Sequence, residues 1–304
     1  MSSLPRAAVY GAPDPDLAET ASGALQLSPL QPGSTAIATL EDASLDAITL
    51  LAPPGVLERR FVLAHALRVL APAGRLTVLA PKDKGGSRLG KDLEGFGCAV
   101  VETARRHNRI CQADRPAVPV GLAEAIADGA PRLVPELELW SQPGVFNWDR
   151  VDLGSALLAN TLPKLGGDGA DLGCGIGWLA KQVLAKPKVT SLALIDIDRR
   201  AIEAAHRNID DPRVRIDWMD ARGDHGLTGL DFVVMNPPFH DNGIEDRGLG
   251  FAFIAAARRA LRKGGVLWMV ANRHLPYEAR LGELFREVTP RADKSGFKVI
   301  EAKA

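Results

Sequence analysis

Cysteine is scarce: Cys98, Cys111 and Cys174 are the only three in 304 residues, widely spaced and odd in number. That spacing suggests no disulfide framework and no metal site, so a reducing cytoplasm is the simplest expectation, with no metal. Long hydrophobic runs are lacking too; none approaches the length that spans a bilayer. The opening "MSSLPRAAVYGAPDP" has no basic segment followed by an apolar core, so neither a secretory leader nor a membrane partner is expected. Nor does one sign of charge prevail, since Lys plus Arg and Asp plus Glu each total 37. A polyanionic partner must then be recognised through local patches and the shape of a site, without help from a global field. What is present is a globular mix, 46% hydrophobic and 24% charged, in a chain long enough for two domains with separate cores.

The segment "PRLVPELELWSQPGVFNW" (Pro131 to Trp148) divides the chain, because three prolines and Gly144 interrupt its periodicity. The boundary is expected near Ser141, giving domains 1–140 and 141–304. After it, "LALIDID", "RVRIDWMDA", "LDFVVMN" and "VLWMVAN" read as strands, and "RRAIEAAHRNI" and "GFAFIAAARRALRKGG" as helices. Strands alternating with helices of that length predict an α/β fold with a mostly parallel sheet covered on both faces.

The first region contains a faint copy of the second. "ALRVLAPAGRLTVLA" (Ala66 to Ala80) aligns without gaps to "ARRALRKGGVLWMVA" (Ala257 to Ala271). Upstream, "DAITLLAPPG" echoes "DFVVMNPPF" with one residue of slippage, which sets Ala52 against Asn236 and Gly55 against Phe239. Helix–Gly–strand units resemble one another in any α/β protein, but strand, Pro-Pro, helix, Gly and strand recurring in one order favours duplication. The polar residues of the second copy are missing from the first.

"GADLGCGIGWLAKQVLA" carries Gly173, Gly175 and Gly177 between a short strand and a helix. Glycine lets the chain turn sharply and lets a ligand approach the main chain closely. G-x-G-x-G with an acid two residues ahead is the pattern of AdoMet-dependent methyltransferases, and Trp178 replaces the third glycine of the dinucleotide fingerprint. Asp196, ending the next strand, is placed to accept from both ribose hydroxyls. Asp220, ending the strand after it, can accept from the adenine amine, and Asp171 can fix the loop amides or meet the cofactor ammonium. Each acid alone reads as a solvated strand end; three on successive strands after a glycine loop read as a cofactor crevice.

"VVMNPPFHD" (Val233 to Asp241) stops a buried strand with two prolines, which cannot donate to a ladder. Asn236 leaves that strand at the carboxyl edge, where open α/β sheets bind ligands. Its amide oxygen and a rigidly held carbonyl, that of Pro237, suit a planar NH2 group. Accepting two hydrogen bonds orients such an amine for attack on a sulfonium methyl. Phe239 can stack on a base, and the base must be unpaired or flipped to arrive there. A simple Asn-Pro-Pro turn is the competing reading. His240 can touch the base edge or a phosphate, take a proton, or lie on a surface loop.

On "GVFNWDRVDLGSALL", "DLGCGIG", "NPPFH" and "ANRHLPY", the region from about Gly144 onward resembles the RsmC family of small-subunit ribosomal RNA guanine-N2 methyltransferases, with the RlmG large-subunit enzymes as near relatives. The resemblance implies two tandem Rossmann-like methyltransferase domains: a degenerate N-terminal copy and a catalytic C-terminal one with a mostly parallel, seven-stranded sheet. It implies S-adenosyl-L-methionine (AdoMet) as methyl donor, guanine N2 as acceptor, and ribosomal RNA or the small ribosomal subunit as partner, a monomer being favoured. Asn236, Pro237, Pro238 and Phe239 fall at the target base; Asp171, Gly173, Gly175, Gly177, Asp196 and Asp220 fall at AdoMet. His240, Asn272 and Arg273 are weaker substrate-side candidates, and Val145 to Ser155, with Asp152, falls near the cofactor. In the first domain, Lys82, Lys84, Arg88 and Lys91 of "KDKGGSRLGK" can contact phosphates or form a solvated loop. N-P-P-[FY] serves any planar amine, so adenine N6, a protein glutamine and large-subunit guanine N2 are the competing acceptors. A non-catalytic AdoMet-binding ribosome-assembly factor is the competing function of another class.

Overall fold

Parallel crossovers dominate both halves of the chain, and they bring the chemistry-bearing loops of the second half to one sheet edge. The computed structural model describes residues 6–238, 240–241, 244–245 and 247–304. Phe239 lies outside the described residues, and His240 is described by its backbone only.

The first half builds strands β1 (Ala7–Tyr10), β2 (Leu25–Gln26) and β3 (Leu45–Leu51), helix α1 (Val56–Val69) and strand β4 (Leu70–Pro81). Helix α2 (Leu89–Glu94), strands β5 (Val101–Arg105) and β6 (Asn108–Asp114) and helix α3 (Leu122–Gly129) follow. The strands form a six-stranded sheet in the order β2-β1-β3-β4-β6-β5, parallel as far as β4 and antiparallel beyond it. Leu63 and Leu67 of α1 pack on Ile48, Leu50, Leu76 and Val78 of the sheet to make its core.

The second half begins with a hairpin, β7 (Arg132–Val134) and β8 (Leu139–Ser141), then helix α4 (Leu153–Thr161), strand β9 (Gly166–Leu172) and helix α5 (Trp178–Leu184). Strand β10 (Lys188–Asp196), helix α6 (Arg199–Asn208), strand β11 (Val214–Trp218) and strand β12 (Leu230–Met235) come next. A short pair, β13 (His240–Asp241) and β14 (Ile244–Glu245), precedes helix α7 (Arg247–Ala260) and strand β15 (Leu261–Asn272). Helix α8 (Tyr277–Leu284) and strands β16 (Glu287–Lys294) and β17 (Phe297–Lys303) close the chain.

Seven of these strands form one sheet, ordered β11-β10-β9-β12-β15-β17-β16, parallel except for β17 and its pairings. The near-continuous apolar run of β12 is explained by burial on both faces. Val233 and Met235 pack with Ile254 and Ala257 of α7, whereas Phe232 and Val234 pack with Leu158 of α4 and Leu179 of α5. Alternate residues of a strand point to opposite faces, so one run serves two cores.

Two details depart from the sequence expectations. The chain divides into units at residue 131: residues 132–141 belong with 145–304, and residues 142–144 with the first unit. The expected break at Ser141 therefore falls at the end of a hairpin that packs on α6. There Trp140 N donates to Asn208 Oδ1 at 2.7 Å, Asn208 Nδ2 donates back to Trp140 O at 2.9 Å, and Arg207 lies over the Trp140 ring. The helix expected to run to the glycines instead ends at Ala260, because Leu261 already pairs with Leu230 across the sheet.

Candidate active site

Strand order reverses at β9, which leaves a crevice outside the carboxyl ends of β9 and β12, where ligands bind in open α/β sheets. The glycine loop leaves β9 with Gly173 at φ +78° and Gly177 at φ +85°, left-handed conformations that an L side chain rarely adopts. A side chain at Gly177 would also have to push aside the Ile209 Cδ1 methyl, 2.6 Å from the position of its Cβ. The loop is tied to the neighbouring strand: Gly173 N and Cys174 N both donate to Ile195 O.

The acids differ sharply in setting. Asp171 is 1% exposed, and its Oδ2 has no hydrogen-bond partner among the described residues. Burial, and then the nearby Asp196 charge, push its carboxyl up to about 8. A buried acceptor without a donor is costly unless a ligand supplies one. That orphaned oxygen fits the ammonium group of AdoMet. Asp196 accepts from Gly175 N and from Asp198 N, both at 2.8 Å, so it buttresses the glycine loop directly. Burial raises it to about 6, against the opposing pull of those amides. Asp220 is gripped by Arg222 (Nη2 to Oδ2, 2.7 Å), whose hydrogen bonds hold its carboxyl below the ordinary range.

Asn236, one residue beyond β12, is partly buried and shares a cleft with Asp171, Gly173 and Gly175. Its Nδ2 donates to Asp152 Oδ2 at 2.8 Å and to Ser155 Oγ at 2.9 Å. Asp152 caps the N-terminus of α4, its Oδ2 accepting from Ser155 N at 2.7 Å, while its Oδ1 accepts from Asn147 Nδ2 at 2.8 Å. Pro237 is buried and Pro238 exposed.

The remaining candidates sit apart from the cleft lining. Gly177 caps α5, and Asp196 reaches the cleft through Gly175 rather than by lining it. Asn272 ends β15, the strand next to β12, while Arg273 is exposed and turned to Asp293, with Nε to Oδ1 at 2.6 Å. Sequence reasoning set Val145 to Ser155 near the cofactor, and Asn147, Asp152 and Ser155 of that segment do line the cleft, but it missed their link to Asn236. The cap pattern Asp-x-x-Ser was visible at 152–155, but its link to Asn236 joins positions 84 apart. Among the described residues there is no metal-binding cluster and no helix long and apolar enough to cross a membrane.

A doubly wound sheet with a glycine loop and an Asn-Pro-Pro elbow side by side at its switch point defines a Rossmann-like methyltransferase domain. Residues 136–301 match the family described as "Methyltransferase small domain". Over 286 residues the chain is 29% identical to the ribosomal RNA small subunit methyltransferase C of Alteromonas mediterranea, covering 88% of this chain and 76% of that one. The protein of the same name from Shewanella piezotolerans is 30% identical, with 76% and 69% covered, and that from Pseudomonas paraeruginosa 31%, with 79% and 74%. In fold it resembles the T. thermophilus 16S rRNA N2 methyltransferase RsmC, solved with AdoMet and guanosine, with a TM-score of 0.73 at 23% identity over 93% of this chain and 77% of that one. The chain belongs to the methyltransferase small-domain family, alongside the ribosomal RNA small subunit methyltransferase C proteins.

Proposed function

We propose that this chain transfers the methyl group of AdoMet to the exocyclic N2 amine of a guanine in 16S ribosomal RNA, in the cytoplasm, acting on the RNA or the small subunit. The observation that carries the reading is the single cleft shared by Asn236, the orphaned carboxyl of Asp171 and the glycine loop. AdoMet supplies a methyl group on a sulfonium, a centre that needs a nucleophile held in line. Asp171 meets the ammonium, Gly173 and Gly175 let the main chain lie against the donor, and Asp196 and Asp220 serve its ribose and adenine. Asn236 Oδ1 and the Pro237 carbonyl accept the two N–H bonds of the guanine amine. That orients its lone pair and stabilises the positive charge that grows on N2 as the N–C bond would form and the S–C bond break, the neutral thioether leaving and one N2 proton passing to solvent. Stacking on the base is the role assigned to Phe239, which lies outside the described residues, and the base must leave its helix to arrive. Asn272 and Arg273 stay weaker substrate-side candidates, Arg273 being exposed beside Asp293.

The first unit keeps the fold without these groups, and we assign it to support and RNA contact, with Lys82, Arg88 and Lys91 exposed for phosphates. Nucleoside analysis of 16S RNA from a deletion strain tests the reaction, alongside tritium transfer from AdoMet to unmodified small subunits or their RNA. Loss of one N2-methylguanosine, restored by purified protein, is expected. Intact N2-methylguanosine with lost N6-methyladenosine would overturn it. RNA binding without transfer would favour an assembly factor.

A further inference from the structure

The cleft raises a question that Asn236 alone does not answer: what decides which end of its side-chain amide faces the substrate? An asparagine amide has a donor end and an acceptor end of nearly the same shape. If Nδ2 faced the amine, donor would meet donor and the substrate would be repelled. We infer that Asp152, with Ser155 and Asn147, is the positioning device that fixes the orientation of the Asn236 amide. It thereby makes the site an acceptor for amines and not for carbonyls. This inference rests on the assignment of Asn236 to the substrate amine.

Both amide hydrogens of Asn236 are spoken for, one by Asp152 Oδ2 and one by Ser155 Oγ. Among the described residues nothing donates to Asn236 Oδ1. The Asp152 carboxylate accepts from every one of its partners, so the reversed rotamer would set the Asn236 amide oxygen against an acceptor, and chemistry excludes it although its shape is nearly the same. Asp152 is itself held by three donors: Asn147 Nδ2 on Oδ1, and Ser155 N with Asn236 Nδ2 on Oδ2. The same guanine carries an amine at C2 and a carbonyl at C6, so an acceptor of fixed polarity also selects the atom to be methylated.

Because Asp152 also caps α4, the test must separate the cap from the clamp. Asp152→Ser keeps a capping oxygen but loses the acceptor that reaches Asn236. Asp152→Asn keeps both, with its carbonyl facing Asn236 and Ser155 and its amide facing a rotated Asn147. With small subunits or their RNA as substrate, Asp152→Ser should lower kcat about 100-fold, the scale of a misplaced reacting group. KM for RNA and Kd for AdoMet should stay within about 3-fold, because the rest of each ligand binds elsewhere. Asp152→Asn should recover kcat to within about 5-fold of wild type on the same reasoning. In an Asn236→Ala background, Asp152→Ser should change the residual rate little, since the group it orients is gone. Equal losses in both backgrounds, or equal loss of AdoMet binding, would overturn the inference. A second measurement does not depend on turnover. In protein labelled with 15N-asparagine, the Asn236 side-chain amide protons should exchange slowly with solvent, and rapidly in Asp152→Ser. Fast exchange in the unaltered protein would sink the clamp whatever the enzyme methylates, whereas slow exchange without N2 transfer would leave the clamp standing and strike the assigned reaction.

Discussion

The two halves of this chain are one architecture twice, with Asp171, Asp196 and Asn236 present in only one. Helices α1 and α7 are both 14 residues long, and each runs straight into a 12-residue strand, β4 or β15. The pairing of β3 with β4 starts at Leu45–Leu70, shifts, and resumes at Ala47–Arg75. That of β12 with β15 starts at Leu230–Leu261, shifts, and resumes at Phe232–Val266. Ala47 and Phe232 are thus equivalent, and counting along the strands sets Leu51, not Ala52, in the place of Asn236. Ala52 is the slipped residue. Ala7 pairs with Ala47 as Gly169 pairs with Phe232, so Val9 replaces Asp171 and Gly11 matches Gly173, at φ +80° and +78°. Ser28 replaces Asp196 and still accepts from the amide two residues on, Leu30 N at 3.3 Å, as Asp196 accepts from Asp198 N at 2.8 Å.

Structural arginines survived: Arg68 donates to Leu40 O at 2.8 Å, and its counterpart Arg259 donates to Arg222 O and Gly223 O, both at 3.1 Å. Arg59, in the place of Gly250, is 1% exposed, donates to Pro54 O at 2.9 Å and pairs with Asp92 at 2.8 Å. The elbow proposed to take a substrate in one half is met by the chain's own arginine in the other. Packing demands are met by many apolar sequences, whereas a site needs particular atoms, so the first half can match the second in register without sharing its polar residues.

The largest expected effect falls on the one residue that separates the halves most cleanly. Asn236→Ala should lower single-turnover methyl transfer about 1,000-fold, the scale of losing an aligned transition-state partner. AdoMet affinity should stay within a few-fold, while Leu51→Ala, at the matching place, should leave the chemistry alone. Equal loss of cofactor binding in Asn236→Ala would show that the residue serves the donor instead. Next, Arg59→Ala should destabilise the first unit by about 3–5 kcal/mol in urea titration, because Asp92 is left half-buried without its partner. An unchanged midpoint would remove the idea that Arg59 fills a vacated site.

Asp171→Asn should weaken AdoMet binding about 10- to 100-fold by calorimetry, the worth of a charged hydrogen bond. The same substitution tests pH dependence. Asp171 is raised from 3.8 to about 8, so over that interval the folded protein binds the extra proton. Stability without AdoMet should therefore fall as pH rises across it, and Asp171→Asn should flatten that slope. AdoMet affinity should instead rise with pH over the same range, since the ammonium favours the ionised carboxyl. A profile with both trends reversed would refute the buried neutral acid. The smallest effect is expected at Arg273→Ala, where an exposed pair with Asp293 contributes less than about 1 kcal/mol. A clear rise in KM for RNA with stability unchanged would place Arg273 on the substrate.

The sequence alone determined the alternation of strands and helices, because an apolar run buried on two faces, as in β12, has a composition that reads directly. It determined the glycine loop and the elbow as well, since positive φ and a broken ladder restrict residue type locally at Gly173, Gly177 and Pro237. Only the tertiary structure decided that the hairpin at 132–141 belongs to the second unit, since Trp140 has no local reason to meet Asn208. Only the tertiary structure joined Asp152 to Asn236, or left Asp171 Oδ2 without a partner among the described residues. Short-range constraints are written in neighbouring residues, but the partner of a polar atom is chosen by whichever distant strand or helix the fold carries to it.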